Sequence, residues 1–191
     1  FFPDVGFFRG NPNLGPETSH TVDLGLRGDH GWGGWSVNGF YTRIDDIIIF
    51  DVDTVRNLDQ ADIPGLELEL HGHIGGWTAA GFLTLQDPED DAGNRLPRRT
   101  RKSLRLDLDR GFGKASAGLS VIAEGERFDD AGNRVRLAGF GLVNLRAGYD
   151  LGRGLAVQGR VNNLFDKDYA TAAGFNNAGR EFFVTLSYRL E

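Results

Sequence analysis

The segment Leu104–Val121 reads LRLDLDRGFGKASAGLSV, and it decides the fold class. Leu104, Leu106 and Leu108 alternate with charged residues, a glycine-containing turn follows, and small or apolar residues then alternate with Ser and Gly as far as Val121. Alternation with a period of two places the apolar side chains on one face of a β-strand. The segment therefore predicts a β-hairpin with one apolar face and one polar face.

The same alternation runs along almost the whole chain, and no segment keeps a convincing helical stripe. It predicts an all-β, antiparallel, up-and-down meander of about nine strands. These strands cover residues 18–29, 34–51, 58–72, 77–87, 100–110, 113–126, 138–150, 154–164 and 181–190. Many have about 11 residues, whereas strands of soluble proteins average five or six; a tilted strand crossing a bilayer needs about 9–11.

The predicted connections alternate in length. Short glycine-rich turns lie at 28–34, 72–76, 110–113 and 150–154. Longer polar loops lie at 52–57, 88–99, 127–137 and 165–180. In a meander, all short turns then fall at one end of the sheet and all long loops at the other. Transmembrane barrels show this asymmetry, with short periplasmic turns and longer external loops.

Aromatic residues near the short turns favour a membrane barrel over a soluble β-sandwich, which would show the same alternation. A girdle at the membrane interface is expected from Trp35, Trp77, Phe112, Tyr149 and Tyr188. The apolar face also carries many Ala and Gly residues, to which lipid adapts more easily than a close-packed core. Charged residues in mid-strand on the other face require a hydrated lumen.

Composition narrows the function classes. The 191 residues carry a formal net charge of −6 and no Cys, which excludes disulfides and thiolate metal sites and argues against nucleic acid as the main partner. The longest strongly apolar run is Ile47–Phe50, too short for a transmembrane helix. Nine strands is an odd number, whereas bacterial single-chain barrels have an even number, and unpaired strands at 18–29 and 181–190 would expose two sheet edges to lipid. We therefore expect this chain to be part of a larger barrel.

Several motifs, in order along the chain, resemble TonB-dependent outer-membrane receptors. The segment Asn11–Thr18 is similar to their Asn-Pro-x-Leu-x-Pro-Glu segment, and Ile63–Glu69 to their Gly-Val-Glu strand. Leu96–Arg99 resembles their Pro-Arg loop exit. Val161–Tyr169, followed by Gly174-Phe175 and Ala178–Phe182, resembles their closing hairpin and looks most like that of vitamin B12 (cobalamin) receptors.

The resemblance implies the C-terminal part of a plugged barrel of about 22 strands. Residues 1–17 would end an extracellular loop, and 18–191 would supply the last barrel strands. The plug domain and TonB box would lie outside this sequence. The implied function is active uptake of a scarce large ligand, cobalamin or a ferric siderophore, through the Gram-negative outer membrane. Implied partners are membrane lipid and lipopolysaccharide, and TonB through the plug; we expect a monomer.

Residues of the long loops are the candidates for binding. In the closing loop, Phe175, Asn176, Asn177 and Arg180 offer stacking and hydrogen bonds to a bulky polar ligand. Asp87, Asp90 and Asp91 are weak candidates for binding Ca²⁺, and a solvated loop suits them as well. We expect no resident cofactor otherwise.

No residue pattern supports catalysis, so we expect a non-enzyme. A passive pore, an outer-membrane enzyme on a smaller barrel and a soluble β-sandwich binding module stay open as alternatives. The chain ends in Leu190-Glu191, where the family usually has an aromatic residue, so autonomous insertion is an open question.

Overall fold

A computed structural model describes residues 6, 9–51 and 53–190 of the chain. Glu191 and most of residues 1–8, which the sequence assigns to an extracellular loop, lie outside the described residues. Among the described residues, no helix is long and apolar enough to cross a membrane.

One antiparallel sheet organises the described chain. Its long strands are β1 (Thr18–His30), β2 (Gly33–Asp51), β3 (Thr54–Ile74), β4 (Trp77–Gln86), β6 (Lys102–Phe112), β7 (Ala115–Glu124), β10 (Phe140–Gly152), β11 (Leu155–Asn162) and β12 (Glu181–Tyr188). Each pairs with the next in chain order. Three two-residue strands, β5 (Glu89–Asp90), β8 (Arg127–Phe128) and β9 (Arg136–Leu137), lie in the loops. The predicted meander is confirmed. It is one layer, and its two edges, at β1 and β12, do not pair with each other.

The β2–β3 hairpin differs from the prediction. The sequence pattern places residues 54–57 in a long loop, but β3 begins at Thr54, and β2 and β3 have 19 and 21 residues. Their pairing continues because apolar residues on this extension, such as Ile47, Ile49 and Val55, are buried. The register is the same on both sides of Asp46, from Asp45↔Gln60 to Ile47↔Leu58, although Asp46 has a positive φ (57°). The hairpin thereby rises well beyond its neighbours.

Register aligns the side chains into two faces. Apolar pairs occur across the sheet on one side: Leu68↔Leu83, Leu83↔Leu104, Leu106↔Val121, Val121↔Val143, Leu145↔Val161 and Val161↔Phe182. We call this side the apolar face. The opposite side, the polar face, carries Asp107, Ser120 and Asn144 in one row and Asp109, Gly118 and Arg146 in another.

The two ends of the sheet are unlike each other. At the short-turn end, two-residue turns join β1 to β2, β3 to β4, β6 to β7 and β10 to β11. Gly75 and Gly76 both have positive φ (58° and 81°), the conformation that a type I′ hairpin turn requires. At the loop end, long segments join β4 to β6, β7 to β10 and β11 to β12. The predicted asymmetry is therefore present.

Residues 9–17 lie along the extended hairpin. The Asn57 side chain clamps Gly15, accepting a hydrogen bond from its N–H (2.9 Å) and donating one to its carbonyl (3.1 Å). Asn11 Nδ2 donates to the Val55 carbonyl at 2.9 Å, and Glu17 accepts from the Ile48 N–H. The Asn-Pro-x-Leu-x-Pro-Glu segment thus fastens the chain to β2 and β3 before β1 begins.

Candidate functional site

The loop end carries a compact layer with its own apolar core. Ile47, Ile49, Ala61 and Ile63 of the β2–β3 hairpin are buried together with one residue from each of two loops. These are Leu96, 1% exposed, from the β4–β6 loop, and Ala131 from the β7–β10 loop. Burying apolar surface from three segments holds them in one arrangement. We call this assembly the loop layer.

A repeated hexapeptide, Asp-Asp-Ala-Gly-Asn-Arg at 90–95 and 129–134, builds the two loops. In the first copy, the Asp90 carboxylate accepts from the N–H groups of Ala92 (3.0 Å) and Asn94 (2.7 Å). In the second, Asp130 accepts from the N–H groups of Arg134 (2.9 Å) and Val135 (2.7 Å). Both copies are turns in which an Asp side chain caps backbone N–H groups.

The second copy also binds the first. Asn133 Oδ1 accepts from the Arg95 N–H at 2.8 Å, and Asn133 Nδ2 donates to the Arg95 carbonyl at 2.8 Å. The side-chain amide therefore pairs with the Arg95 backbone as a neighbouring strand would. Asn94, the residue equivalent to Asn133 in the first copy, donates to Asp90 of its own loop instead (3.1 Å).

Asp129 joins three loops. Its carboxylate accepts from Arg98 Nε of the β4–β6 loop at 2.8 Å and from the Ala173 N–H of the closing loop at 3.0 Å. A carboxylate that receives charged and neutral donors from two other segments fixes their separation. The β4–β6, β7–β10 and β11–β12 loops are therefore one connected unit.

Charge in the loop layer is largely paired. Glu126 lies between Arg95 (3.1 Å) and Arg136, and their hydrogen bonds, that of Arg136 first, hold the Glu126 pKa below its ordinary value. For Asp130, burial raises the pKa, but hydrogen bonds from the Val135 N–H and from Arg134 outweigh it and leave the pKa lowered. Both carboxylates are therefore ionised over a wider acidic range than a free side chain.

The closing loop, residues 163–180, is held by its own polar groups. Buried Asn163 accepts from the Lys167 N–H (2.8 Å) and donates to the Lys167 carbonyl (2.9 Å). Asp166 accepts from the Arg180 N–H at 2.7 Å. The Tyr169 ring packs on Phe140 of β10 with 4.5 Å between ring centres. These contacts explain the Asn-Leu-Phe-Asp-Lys-x-Tyr segment as a loop scaffold.

The four predicted ligand-binding residues of this loop separate into two pairs. Asn177 Nδ2 donates to the Tyr169 carbonyl (3.3 Å), and Arg180 Nη1 donates to the Leu164 carbonyl (3.3 Å), so both hold the loop. Phe175 is 68% exposed, and the neighbouring Asn176 is exposed as well. Arg180 is also exposed, so Asn177 is the one candidate of the four that is half-buried.

The three acidic residues predicted as candidates for binding Ca²⁺ make different contacts. Asp87 is paired with Arg101, Asp90 caps its own turn, and Asp91 is exposed. Within the described part of the chain, no three His, Cys, Asp or Glu residues are grouped so that they could hold a metal ion. Calcium binding in this loop stays a prediction.

The polar face carries a network that sequence spacing alone did not reveal. Arg146 of β10 reaches across β7 to Asp109 of β6 and donates to Ser120 at 2.7 Å. Gly118 lies between the two charged residues in the register, where a Cβ atom would collide with both. Further along, Arg105 pairs with Asp107 (2.6 Å), which also accepts a hydrogen bond from Ser120.

The five predicted girdle residues lie on one face of the sheet, each towards the short-turn end of its strand. Trp35, Trp77, Phe112, Tyr149 and Tyr188 all lie on the apolar face at the short-turn end, where Trp35 pairs with Leu70, Phe112 and Tyr149 pair with Ala115, and Tyr188 pairs with Leu155. Trp77 and Phe112 meet edge to face, with ring centres 6.5 Å apart. Their contact with the membrane interface stays a prediction.

Comparison with known proteins identifies the architecture. The family described as TonB dependent receptor-like, beta-barrel matches residues 2–164. The chain belongs to this family. It is 30% identical over 201 residues to "Vitamin B12 transporter BtuB" of Photobacterium profundum, an alignment that covers 99% of the chain and 32% of the relative. The chain thus spans about a third of the length of this curated relative.

Solved structures of other TonB-dependent receptors share the fold. "Copper transporter OprC" superposes with a TM-score of 0.77 at 24% identity, covering 98% of this chain and 35% of that one. The pyoverdine outer membrane receptor FpvA from Pseudomonas aeruginosa PAO1 gives 0.77 at 21% identity, covering 100% and 32%. The resemblance drawn from the motifs is confirmed, and the chain is an outer-membrane barrel segment. The soluble sandwich is excluded.

Proposed function

We propose that this chain forms the C-terminal barrel wall and several external loops of a receptor that actively takes up cobalamin or a ferric siderophore. The observation that carries the proposal is the alignment of 99% of the chain with a vitamin B12 transporter. Receptors for ferric siderophores share the fold, which supports the second ligand class. The polar face would line the lumen, and the loop layer would stand at the external mouth.

In this proposal, Phe175 and Asn176 contact the ligand. The Phe175 ring is exposed on a loop whose backbone is fixed by Asn163, Asp166 and Asn177. A preorganised aromatic side chain binds a large ligand with little loss of conformational entropy. Asn176 adds donors and acceptors for polar groups at the ligand's edge. Asn177 and Arg180 contribute by positioning this pair.

The chain's part in uptake is binding and passage, with no covalent change to the ligand. Energy would come from TonB through a plug domain. The similar proteins named above are receptors and transporters, which favours this role over an enzyme. The paired charges on the polar face, Arg146 with Asp109 and Arg105 with Asp107, would form the wall beside the plug.

Uptake by intact cells tests the proposal. The full-length protein is expressed in a Gram-negative strain that lacks its own cobalamin receptor, and labelled cyanocobalamin and a panel of ferric siderophores are supplied with and without TonB. We expect saturable uptake of one ligand that requires TonB. Equal uptake without TonB, or diffusion of many small solutes, would show a passive pore instead.

Variants of the closing loop test the site. Phe175→Ala removes the exposed ring, and we expect ligand affinity to fall about tenfold, equivalent to about 1.4 kcal/mol. Asn177→Ala removes a hydrogen bond that holds the loop, so we expect faster hydrogen exchange in residues 163–180. Ligand affinity should fall because the loop is less ordered. Phe165→Ala is the matched control, because this ring is also exposed in the closing loop but lies at its start. An unchanged affinity in Phe175→Ala would remove this residue from the site.

A further inference from the structure

Arg110 occupies an unusual position on the apolar face. It pairs with Trp77 of β4 in the register, and it continues the row of alternate residues that includes Leu106 and Leu108. Its guanidinium carbon lies 5.5 Å from the centre of the Trp77 ring and 5.1 Å from that of the Phe112 ring. A cation is thus set between two girdle aromatics at the short-turn end of the sheet.

Two arginines of the polar face, Arg105 and Arg146, have different partners, because each binds a carboxylate. Arg110 makes the two ring contacts, and the structure gives it no hydrogen bond or ion pair with any described residue. Gly76 of the β3–β4 turn lies beside the guanidinium, since a Cβ added there would be in van der Waals contact with Arg110 Nε at 3.7 Å. The rings offset the charge only in part, and the N–H donors need an acceptor.

Position determines which acceptor is available. An arginine on the lipid side of a barrel extends its charged end to the membrane interface and away from the hydrocarbon. Short turns of such barrels face the periplasm, where the outer membrane's leaflet is made of glycerophospholipids, while lipopolysaccharide occupies the opposite leaflet. A guanidinium recognises phosphate oxygens by two parallel hydrogen bonds.

We propose that Arg110, held by Trp77 and Phe112, binds the headgroup phosphate of a glycerophospholipid in the periplasmic leaflet. The two rings keep the guanidinium in place along the sheet and pack beside the first carbons of the acyl chains. The site would anchor the barrel at a defined depth. It depends on the chain's place in the membrane and is independent of the ligand that the receptor carries.

Native mass spectrometry of the detergent-purified full-length protein, titrated with phosphatidylglycerol, tests the site. Arg110→Gln is expected to weaken the tightest lipid site about fivefold, the loss of about one interfacial cationic contact. Arg153→Gln is the matched control, because Arg153 is an exposed residue of the β10–β11 turn at the same end and contacts no ring among the described residues. We expect it to bind the lipid like the wild type.

The outcomes separate a defined site from diffuse charge. Equal lipid affinity in Arg110→Gln and wild type, or an equal loss in Arg153→Gln, would overturn the proposal. If Arg110→Gln fails to fold, Arg110→Lys replaces it; this variant keeps the charge but lacks the planar fork, and wild-type affinity in it would also count against the site. We expect ligand uptake by Arg110→Gln to match wild type, so a protein without uptake but with Arg110-dependent lipid binding would refute only the proposed receptor function.

Discussion

The loop layer and the membrane wall use apolar residues in opposite ways. The buried apolar side chains of the described chain lie at or near the loop end: Ile47, Ile49, Val55, Ala61, Ile63, Leu96, Ala131, Phe140 and Leu142. In the wall, several leucines of the apolar face are exposed; Leu106, for example, is 42% exposed. Lipid covers such side chains in a membrane barrel. The loop layer therefore has a buried apolar core, as a small soluble protein has, whereas the sheet below it has an apolar face suited to contact with lipid.

This difference predicts where a cavity is costly. Leu96→Ala empties a buried site to which three segments contribute, and we expect a loss of about 2–5 kcal/mol in the local stability of the loop layer. Hydrogen exchange of the folded full-length protein should then accelerate in residues 44–49 and 127–137 together. The joint response is expected because Ile47, Ile49 and Ala131 surround Leu96 in one cluster.

Leu106→Ala is the control within the wall. Lipid chains fill the space that the side chain leaves, so we expect the barrel to lose only about 1–2 kcal/mol of stability. Hydrogen exchange in the loop layer should not change. If Leu96→Ala changes exchange only within its own loop, the layer does not share one core. Equal effects of the two variants on the loop layer would remove the distinction between the two regions.

The wall was predictable from sequence, and the loop layer much less so. The alternation of apolar and polar residues is visible within the sequence of each strand of the wall. Leu104, Leu106 and Leu108, for example, identify one face without information from any other strand. The loop layer depends on contacts between distant segments. The extension of the β2–β3 hairpin is not predictable locally, because residues 52–57 are mostly polar and resemble a loop. Val55 is nevertheless buried, by residues distant in the sequence.

The repeated hexapeptide shows the same limit. Turns were predictable from its Asp, Gly and Asn residues, and both copies do form turns, although Asp90 is the first residue of its copy and Asp130 the second residue of the other. The pairing of Asn133 with Arg95 was not predictable, since identical letters at 94 and 133 make different bonds. The repetition was the available signal, because two copies of one turn in facing loops are able to pack together. Likewise, nothing local distinguishes exposed Phe175 from the loop-holding Asn177.

The two equivalent asparagines offer a test of the connection between loops. Asn133→Gly removes both hydrogen bonds to the Arg95 backbone and, as Gly, accepts the positive φ of this position (53°) without strain. We expect the loop layer to lose about 1–3 kcal/mol of local stability. Hydrogen exchange should become faster in both the 87–99 and the 127–137 segments. Asn94→Gly should affect the 87–99 segment alone. If Asn133→Gly leaves exchange of residues 87–99 at the wild-type rate, the loops are independent.

Lowering the pH is expected to give the smallest effect, and it tests the charged residues of the loop layer rather than its apolar core. Hydrogen bonds from Arg136 and Arg95 depress the Glu126 pKa below its ordinary 4.5. A carboxyl whose folded-state pKa is lowered stabilises the fold fully above its ordinary pKa, and this contribution is lost as the pH falls through the folded-state value. Protection of the loop layer against exchange, corrected for the intrinsic rate, should therefore decline below about pH 4.5 in the wild type.

Glu126→Gln should flatten part of that decline, and Asp130→Asn should remove a separate part, because the Asp130 pKa is lowered by a different set of donors. The Glu126 share should also shrink in about 1 M salt, since exposed ion pairs are screened, whereas the Asp130 share rests on backbone N–H groups and should persist. The same acid response in wild type and Glu126→Gln would mean that Arg95 and Arg136 do not hold the loops through this carboxylate. The connection would then rest on Asn133, Asp129 and the apolar core, and the loop layer would resemble a soluble fold in its packing but not in its electrostatics.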